Sequence, residues 1–122
     1  MSFFEAVASC FSKYAQFKGR ASRAEYWWFF LFLLLSTIFL NQLVMSFFGQ
    51  QAAVTVSSLY YLAVLLPSLS VGARRLHDMN HTAWWLLLTP TIIGAFVLMV
   101  WFMFAGTPGA NRFGEPVVAL DD

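Results

Sequence analysis

The polar side chains that could do chemistry in this chain fall into two short clusters, separated by an apolar stretch without any Lys, Arg, Asp or Glu. The clusters comprise Arg20, Arg23 and Glu25, and then Arg74, Arg75, His77 and Asp78. Guanidinium groups bind carboxylates and phosphates through paired hydrogen bonds. These residue types therefore predict either ion pairs between the clusters or a site for an anionic group, such as a lipid headgroup.

The two interpretations make different use of the same charges. In the structural interpretation, Glu25 pairs with Arg74 or Arg75. Arg23 then pairs with Asp78, and these contacts fix the ends of neighbouring helices. In the functional interpretation, the arginines in excess of the carboxylates bind headgroups at a membrane surface, where each cation adds about 1 kcal/mol of attraction. Most clusters of this kind have only the structural role.

The segment "HDMNH" contains His77 and His81 four positions apart, a spacing at which two histidines on a helix can bind one metal ion. A third ligand is not within helical reach, and Asn80 indicates a loop. We therefore predict no metal site and no cofactor. The sequence shows no Gly-rich phosphate loop and no Ser/His/Asp or Cys/His set, so we predict that the protein is not an enzyme. An interfacial enzyme with His77 and Asp78 as an acid and base pair is the least favoured alternative.

The composition is that of an integral membrane protein. Of the 122 residues, 60% are hydrophobic and only 11% are charged, whereas average globular proteins have about 45–50% and 25%. A soluble domain of this size has too much surface to cover with so few charges. The net charge of +1 gives no indication of nucleic-acid binding, and the single Cys10 excludes an intramolecular disulfide.

The apolar pattern predicts an all-α integral membrane protein that forms a single domain over 1–122. Its elements are an N-terminal amphipathic interfacial helix over 2–17, three transmembrane helices over about 26–48, 52–73 and 83–105, and a turn-rich tail over 106–122. The amphipathic helix lies in the membrane interface, packs on the protein itself, or does both. Ser22, followed three residues later by Glu25, predicts that the helix of the first span begins at Arg23.

The second and third spans contain residues that disturb or tighten helix packing. Pro67 predicts a kink, which a lipid-buried helix tolerates when a neighbouring group satisfies the freed carbonyl. Ser68 and Gly72 form a pair of small residues that permits close helix contact. Pro90 and Gly94 predict a bend or partial break in the third span.

The distribution of positive charge predicts the orientation. With three spans, one side carries Lys13, Lys18, Arg20, Arg23, Arg74 and Arg75, and the other side carries Arg112. The positive side faces the cytoplasm, so we predict a cytoplasmic N-terminus, a cytoplasmic loop over 74–81 and an external C-terminus. The predicted aromatic anchors at the cytoplasmic interface are Trp27, Trp28, Trp84 and Trp85.

Three segments, "FKGRASRAEYWWFFLF", "RRLHDMNHTAWWLLL" and "GTPGANRFGEP", together resemble the YhaH/YhaI-like small inner-membrane proteins, a family grouped as domain of unknown function 805. The resemblance extends over about 17–116. It implies a short protein of the bacterial cytoplasmic membrane with several spans and no assigned activity. It also implies that His77 and Asp78 act as a pair, in which Asp78 orients the imidazole. The matched positions of the tail motif are Asn111, Gly114 and Pro116.

We therefore predict a structural or interaction protein of the bacterial inner membrane, whose cytoplasmic clusters bind lipid headgroups or a protein partner. The alternative is a homo-oligomeric channel or transporter component, lined by Asn41, Gln42 and the serines of the second span. The spans contain no Asp, Glu, Lys, Arg or His, which argues against a pump or transporter formed by a monomer. If the tail motif shares a site with the two clusters, the third span must turn back at Pro90 and Gly94, or an extra crossing must exist.

Overall fold

The computed structural model describes residues 2–104 and 106–114. All regular secondary structure among these residues is helical, apart from one isolated β-bridge between Asn111 and Gly114. The α-helices are α1 (Phe3–Ser12), α2 (Arg23–Phe48), α3 (Gln50–Asp78) and α4 (Ile92–Phe102), and a 3₁₀ helix (Ala83–Leu88) lies between α3 and α4. The prediction of an all-α chain is confirmed. Pro116 and the rest of the predicted tail beyond Gly114 lie outside the described residues.

The two longest helices have the dimensions of membrane spans. Helix α2 begins at Arg23, as predicted, because the Ser22 hydroxyl accepts a hydrogen bond from the Glu25 backbone N–H at 3.1 Å. Helix α2 has 26 residues and α3 has 29, so their lengths are about 39 and 44 Å. Within the described residues, these two helices are long and apolar enough to cross a membrane.

A single glycine joins α2 to α3. Gly49 has a φ of +91°, a left-handed conformation that a residue without a Cβ adopts at little cost. The turn brings α3 back along α2, and the Ala21 backbone N–H donates to the Arg74 carbonyl at 2.9 Å. The start of α2 and the end of α3 therefore lie side by side. We call this end of the helix pair the charged end.

Helix α3 continues through Pro67 because another segment satisfies the carbonyl that this proline leaves without a donor. Pro67 has no backbone N–H for the Ala63 carbonyl, four residues earlier. The Tyr14 hydroxyl donates to that carbonyl instead. Beside it, the Ser70 hydroxyl donates to the Lys13 carbonyl at 3.2 Å. The segment that follows α1 is thus fastened to α3 at the proline.

Helix α1 is shorter than the predicted 2–17 and packs on the protein. Ser2 and Glu5 form a reciprocal capping box at its start. Its buried residue Cys10 belongs to the apolar core shared with α2, and the Phe3 ring meets the Trp28 ring edge-on with centroids 5.8 Å apart. The helix ends at Ser12, since the following residues turn toward α3. Its place in the membrane interface remains a prediction.

The segment predicted as a third span, 83–105, does not form one continuous helix in its described part. The 3₁₀ helix ends before Pro90, which lacks the N–H needed to continue a helix. Thr91 then starts α4, because its hydroxyl accepts a hydrogen bond from the Gly94 backbone N–H at 3.0 Å. A Cβ on Gly94 would collide with the Leu88 carbonyl, so this turn requires glycine.

The two short arms form a hairpin over 83–104, packed against α2 and α3. Helix α4 has 11 residues, about 16 Å, which is half of a ~30 Å hydrocarbon core. A Cβ on Gly72 would lie 3.2 Å from the Leu86 side chain of the first arm. At the end of the second arm, the Trp27 indole donates to the Phe102 carbonyl at 2.9 Å. The first arm therefore begins, and the second arm ends, near the charged end.

Candidate functional site

The charged end encloses a buried ion-pair network. Its members are Arg20, Glu25, Arg74, Arg75 and Asp78, whose exposed fractions range from 0 to 4%. Three guanidiniums are thus buried with two carboxylates. Buried charges persist only when they are paired and hydrogen-bonded, so the contacts of each member decide what this site can do.

The inner branch of the network joins α1, α2 and α3. Arg74 Nη1 donates to Glu25 Oε2 at 2.7 Å, which is one of the pairs expected from the sequence. The same carboxylate oxygen accepts from the Ser9 hydroxyl at 3.2 Å and from the Cys10 thiol at 3.6 Å. The Glu25 carboxylate therefore binds α1 and α3 at once, while its backbone N–H completes the Ser22 cap.

This environment suppresses the reactivity of Cys10. Burial raises the pKa of the Cys10 thiol to about 12, and the negative charge of Glu25 acts in the same direction. A thiol is reactive as its thiolate. Cys10 is therefore a packing residue and a weak hydrogen-bond donor.

The outer branch is centred on Asp78, the last residue of α3. Its carboxylate oxygens accept from Arg20 Nε at 2.8 Å and from Arg75 Nη1 at 2.6 Å. Its backbone carbonyl accepts from the Thr107 N–H at 2.7 Å. Gly106 crosses directly over it, and a Cβ at that position would overlap the Asp78 carboxylate. Asp78 is therefore enclosed by arginines and by the tail.

Arg20 binds the tail with the two Nη groups that do not contact the Asp78 carboxylate. Its Nη1 donates to the Gly109 carbonyl at 2.7 Å and to the Gly114 carbonyl at 3.3 Å. Its Nη2 donates to the Thr107 carbonyl at 2.5 Å and to the Asp78 carbonyl at 3.3 Å. The described tail residues 106–114 therefore lie at the charged end. Three spans would place this tail far from Arg20, whereas residues 106–114 lie beside it because the hairpin returns the chain.

Cationic and indole side chains cap the C-terminus of α4. The last carbonyls of a helix have no partner within it and carry partial negative charge. Arg75 Nη2 donates to the carbonyls of Phe102, at 3.3 Å, and of Phe104. Arg23 Nη1 donates to the Met103 carbonyl at 3.3 Å. Arg75 therefore binds both the Asp78 carboxylate and the end of the second arm of the hairpin.

His77 lies at the charged end but does not pair with Asp78. Its Nδ1–H donates to the Gly19 carbonyl at 2.9 Å, and its ring stacks on Phe113 with centroids 4.1 Å apart. The Asn111 amide donates to the His77 carbonyl at 2.9 Å. Two arginines hold the Asp78 carboxylate, so Asp78 does not orient the His77 imidazole as the resemblance implied.

His81 is separated from His77 by the end of α3. The helix stops because Asn80 takes a left-handed φ of +63°, and the His81 ring then stacks on Trp101 with centroids 4.7 Å apart. Along the chain that the structure describes, no three His, Cys, Asp or Glu residues come together as metal ligands would. The spacing of these histidines therefore reflects a loop, as Asn80 indicated.

Some buried polar atoms of the inner branch have no partner. Among the described residues, Arg74 Nε, Arg74 Nη2 and Glu25 Oε1 make no hydrogen bond. The Arg74 guanidinium thus depends on Glu25 Oε2 for its hydrogen bonding. An unsatisfied buried donor costs free energy, so loss of the ion pair with Glu25 would leave the Arg74 guanidinium both unpaired and without hydrogen bonds.

The predicted aromatic anchors surround the charged end, with unequal exposure. Trp27 is half-buried, because its indole binds the end of α4. Trp28, Trp84 and Trp85 are exposed. Their depth in a membrane remains a prediction, but the exposed rings are free to reach a headgroup region.

Sequence reasoning missed three contacts of this site. The Tyr14 bond to α3, the thiol and hydroxyl bonds to Glu25 from α1, and the binding of the tail by Arg20 were not expected. Only the tail had a signal, since Pro90 and Gly94 allow the third apolar segment to turn back. The hydrogen-bond acceptors in the tail are backbone carbonyls, which every residue has.

Comparison with known proteins gives a family model and close relatives. A model described as protein of unknown function (DUF805) matches residues 14–115. Inner membrane protein YhaH of Escherichia coli (strain K12) is 41% identical over 104 residues, which cover 83% of this chain and 86% of the relative. Inner membrane protein YhaI of the same organism is 40% identical over 108 residues, or 88% of this chain and 90% of the relative. No solved structure matches this chain.

Proposed function

The chain belongs to the DUF805 family of proteins of unknown function, and from this premise we propose that it is a non-enzymatic interaction protein of the bacterial inner membrane. The relatives that it matches are inner membrane proteins. In this proposal, α2 and α3 cross the membrane, the hairpin enters the bilayer and returns, and the charged end faces the cytoplasm. The surface of that end binds anionic lipid headgroups.

The proposal is carried by one observation, the attachment of the tail to Arg20. Because the described tail lies at the charged end, Arg112 lies there too, and its guanidinium donates to the Asn80 carbonyl at 3.0 Å. All seven Lys and Arg side chains then belong to the charged end or to segments attached to it. An excess of Lys and Arg in short loops marks the cytoplasmic side. With three spans, six of these cations would lie on one side and Arg112 on the other, whereas the hairpin places all seven on one side.

The exposed residues at the tip of the hairpin support its place in lipid. Ile92 and Ile93 are 90% and 80% exposed, and Phe96 on the same helix is also exposed. Exposure of such a row of apolar side chains to water would be unfavourable. The polar backbone of the turn is partly protected, because the Thr91 hydroxyl satisfies the Gly94 N–H at the start of α4 and the arms pack on α2 and α3.

A pair of reporter fusions tests this topology. Green fluorescent protein fused after Asp122 is expected to be fluorescent, and alkaline phosphatase at the same position is expected to be inactive. The matched control is phosphatase inserted after Gly49, in the turn between α2 and α3, where it is expected to be active. Active phosphatase after Asp122 would contradict the proposed hairpin and favour a third crossing.

The closed network changes where headgroups would bind. Arg20, Arg74 and Arg75 are buried and occupied by protein groups, so they are structural. The cations on the outside are Lys18 and Arg112, both of which are exposed. Near an anionic leaflet, each adds about 1 kcal/mol of attraction, and the exposed tryptophans beside them suit the same interface.

Quenching of tryptophan fluorescence tests the headgroup site. In nanodiscs, brominated phosphatidylglycerol is expected to quench the wild-type protein more than brominated phosphatidylcholine at equal fractions. The variant Lys18→Gln with Arg112→Gln is expected to lose this preference, by about fivefold for each charge. The control, Gln51→Ala at the opposite end, is expected to keep it. An unchanged preference in the double variant would refute the lipid site and leave a protein partner as the alternative.

A further inference from the structure

A second surface of the molecule, far from the charged end, carries polar groups in the part that faces lipid. An open groove of about 390 Å³ runs between α2 and α3. Its polar lining consists of Thr37 and Asn41 from α2, and Ser57, Ser58 and Tyr61 from α3. We call this surface the polar groove.

Some polar groups of the groove are satisfied within the chain and others are not. The Ser57 hydroxyl donates to Asn41 Oδ1 at 3.4 Å, and the Ser58 hydroxyl donates to the Val54 carbonyl at 2.8 Å. Over residues 2–104 and 106–114, neither the Asn41 amide NH₂ nor the Tyr61 hydroxyl has a hydrogen-bond partner. By contrast, the neighbouring Tyr60 hydroxyl is bonded to Ser36.

These unpartnered groups lie well inside the spanning part of the helices. Asn41 precedes Gly49 by about 12 Å along α2, and Tyr61 follows it by about 18 Å along α3, at a rise of 1.5 Å per residue. Asn41 is also about 27 Å from Arg23, the first residue of α2. Hydrocarbon offers no hydrogen bonds, so an amide at this depth is satisfied by another polypeptide.

We propose that the polar groove is the interface at which a second copy of this chain docks. The Asn41 amide carries both donors and an acceptor. Two copies related by a twofold axis can therefore pair Asn41 with Asn41, as a self-complementary interface requires. Ser57 and Ser58 are small enough for close helix approach, which stabilises helix pairs in lipid. The groove is separate from the charged end, so this proposal holds whichever side that end faces.

Disulfide cross-linking in native membranes tests the interface. Val54→Cys lies on the rim of the groove and Leu59→Cys on the other face of the same helix, and the two native residues are 58% and 61% exposed. Both variants retain the buried Cys10. On oxidation, Val54→Cys is expected to give a disulfide-linked dimer and Leu59→Cys to stay monomeric. Equal cross-linking of both, or a product that is not two copies of the chain, would overturn the proposal.

Substitution of Asn41 tests the hydrogen bond itself. Asn41→Leu is expected to weaken the dimer by about 3- to 30-fold, the range for interhelical hydrogen bonds in membranes. Asn41→Gln keeps the donors and acceptor and is expected to restore most of the association. Leucine suits a lipid-facing position, and an unchanged circular dichroism spectrum would verify folding. A dimer that is unaffected by Asn41→Leu would refute the pairing.

Discussion

Replacing Glu25 by glutamine is expected to destabilise the fold by about 3–5 kcal/mol, the usual cost of removing one partner from a buried ion pair. The reason is the state in which Arg74 would be left. Its side chain is fully buried and, among the described residues, Glu25 is the carboxylate that contacts it. Two of its guanidinium nitrogens already lack an acceptor. Glutamine keeps the shape of Glu25 but leaves the guanidinium without a counter-charge.

The assay is equilibrium unfolding of the purified protein in mixed micelles, as the fraction of denaturing detergent is raised. Far-ultraviolet circular dichroism reports the helices, and tryptophan fluorescence reports the charged end. If both probes give one transition, the free energy of unfolding can be compared between variants. The matched control is Glu5→Gln, since Glu5 is exposed and makes only the capping box of α1. A capping interaction contributes about 1 kcal/mol.

A double substitution separates the ion pair from simple packing loss. Glu25→Gln combined with Arg74→Met removes both charges and is expected to be more stable than Glu25→Gln alone, because no buried charge remains unpaired. The reasoning is refuted if Glu25→Gln costs no more than Glu5→Gln. It is also refuted if Arg74→Met gives no recovery.

Three further outcomes are expected from the contacts described above. Tyr14→Phe should cost about 1 kcal/mol of stability, because the carbonyl freed by Pro67 loses its donor, and the cost should vanish in a Pro67→Ala background, where the helix can make the bond itself. Gly106→Ala should release the tail from Asp78, so that hydrogen exchange of the Thr107 amide becomes about tenfold faster, since overpacking costs about 1–3 kcal/mol. With a pKa of about 12, only about one Cys10 thiol in ten thousand is ionised at pH 8, so iodoacetamide should label the native protein at least about a hundredfold more slowly than the denatured protein.

Each of these outcomes has a result that would contradict it. A Tyr14→Phe cost that persists without Pro67 would mean that the hydroxyl acts elsewhere. Unchanged exchange in Gly106→Ala, or equal acceleration by the exposed tail variant Ala110→Val, would show that the tail does not require glycine over Asp78. Equal labelling of native and denatured protein would show that Cys10 is accessible.

The local features of the fold were predictable because short-range chemistry decides them. Ser22 starts α2 as the sequence predicts, since a hydroxyl before an apolar run satisfies the first N–H groups of a helix. The polar turn after Phe48 was also predictable, although α3 begins at Gln50, directly after Gly49. The resemblance drawn from the three motifs is confirmed by the family match over 14–115. These features depend on neighbours within a few positions, which a sequence displays directly.

The hairpin was harder to predict because hydropathy measures composition and not direction. The apolar segment 83–105 has the length of a span, and a helix that crosses the bilayer and a hairpin that returns bury the same side chains. Only Pro90, Thr91 and Gly94 distinguish them. Prolines and glycines also occur in continuous membrane helices, so their presence alone does not decide the path.

The residues of the site were predictable from the sequence, but most of the contacts between them were not. Glu25 and Arg74 were expected partners because the ends of two antiparallel helices meet. His77 and Asp78 were expected to act together, but adjacent residues on a helix do not face each other. Arg20 binds mostly backbone carbonyls of the tail, and no sequence pattern marks which carbonyls a guanidinium will find.

The hydrogen-bond partners of Arg20 are distant in sequence, and this separation sets the order in which its contacts can form during synthesis. Arg20 is made early, but its partners Asp78, Thr107 and Gly109 follow 58, 87 and 89 residues later. At about 5–20 residues per second, the ribosome needs roughly 5–20 s to supply them. During that interval both long apolar helices can form while the guanidinium is still in water. Burial of Arg20 therefore comes late, because it needs the tail residues Thr107 and Gly109.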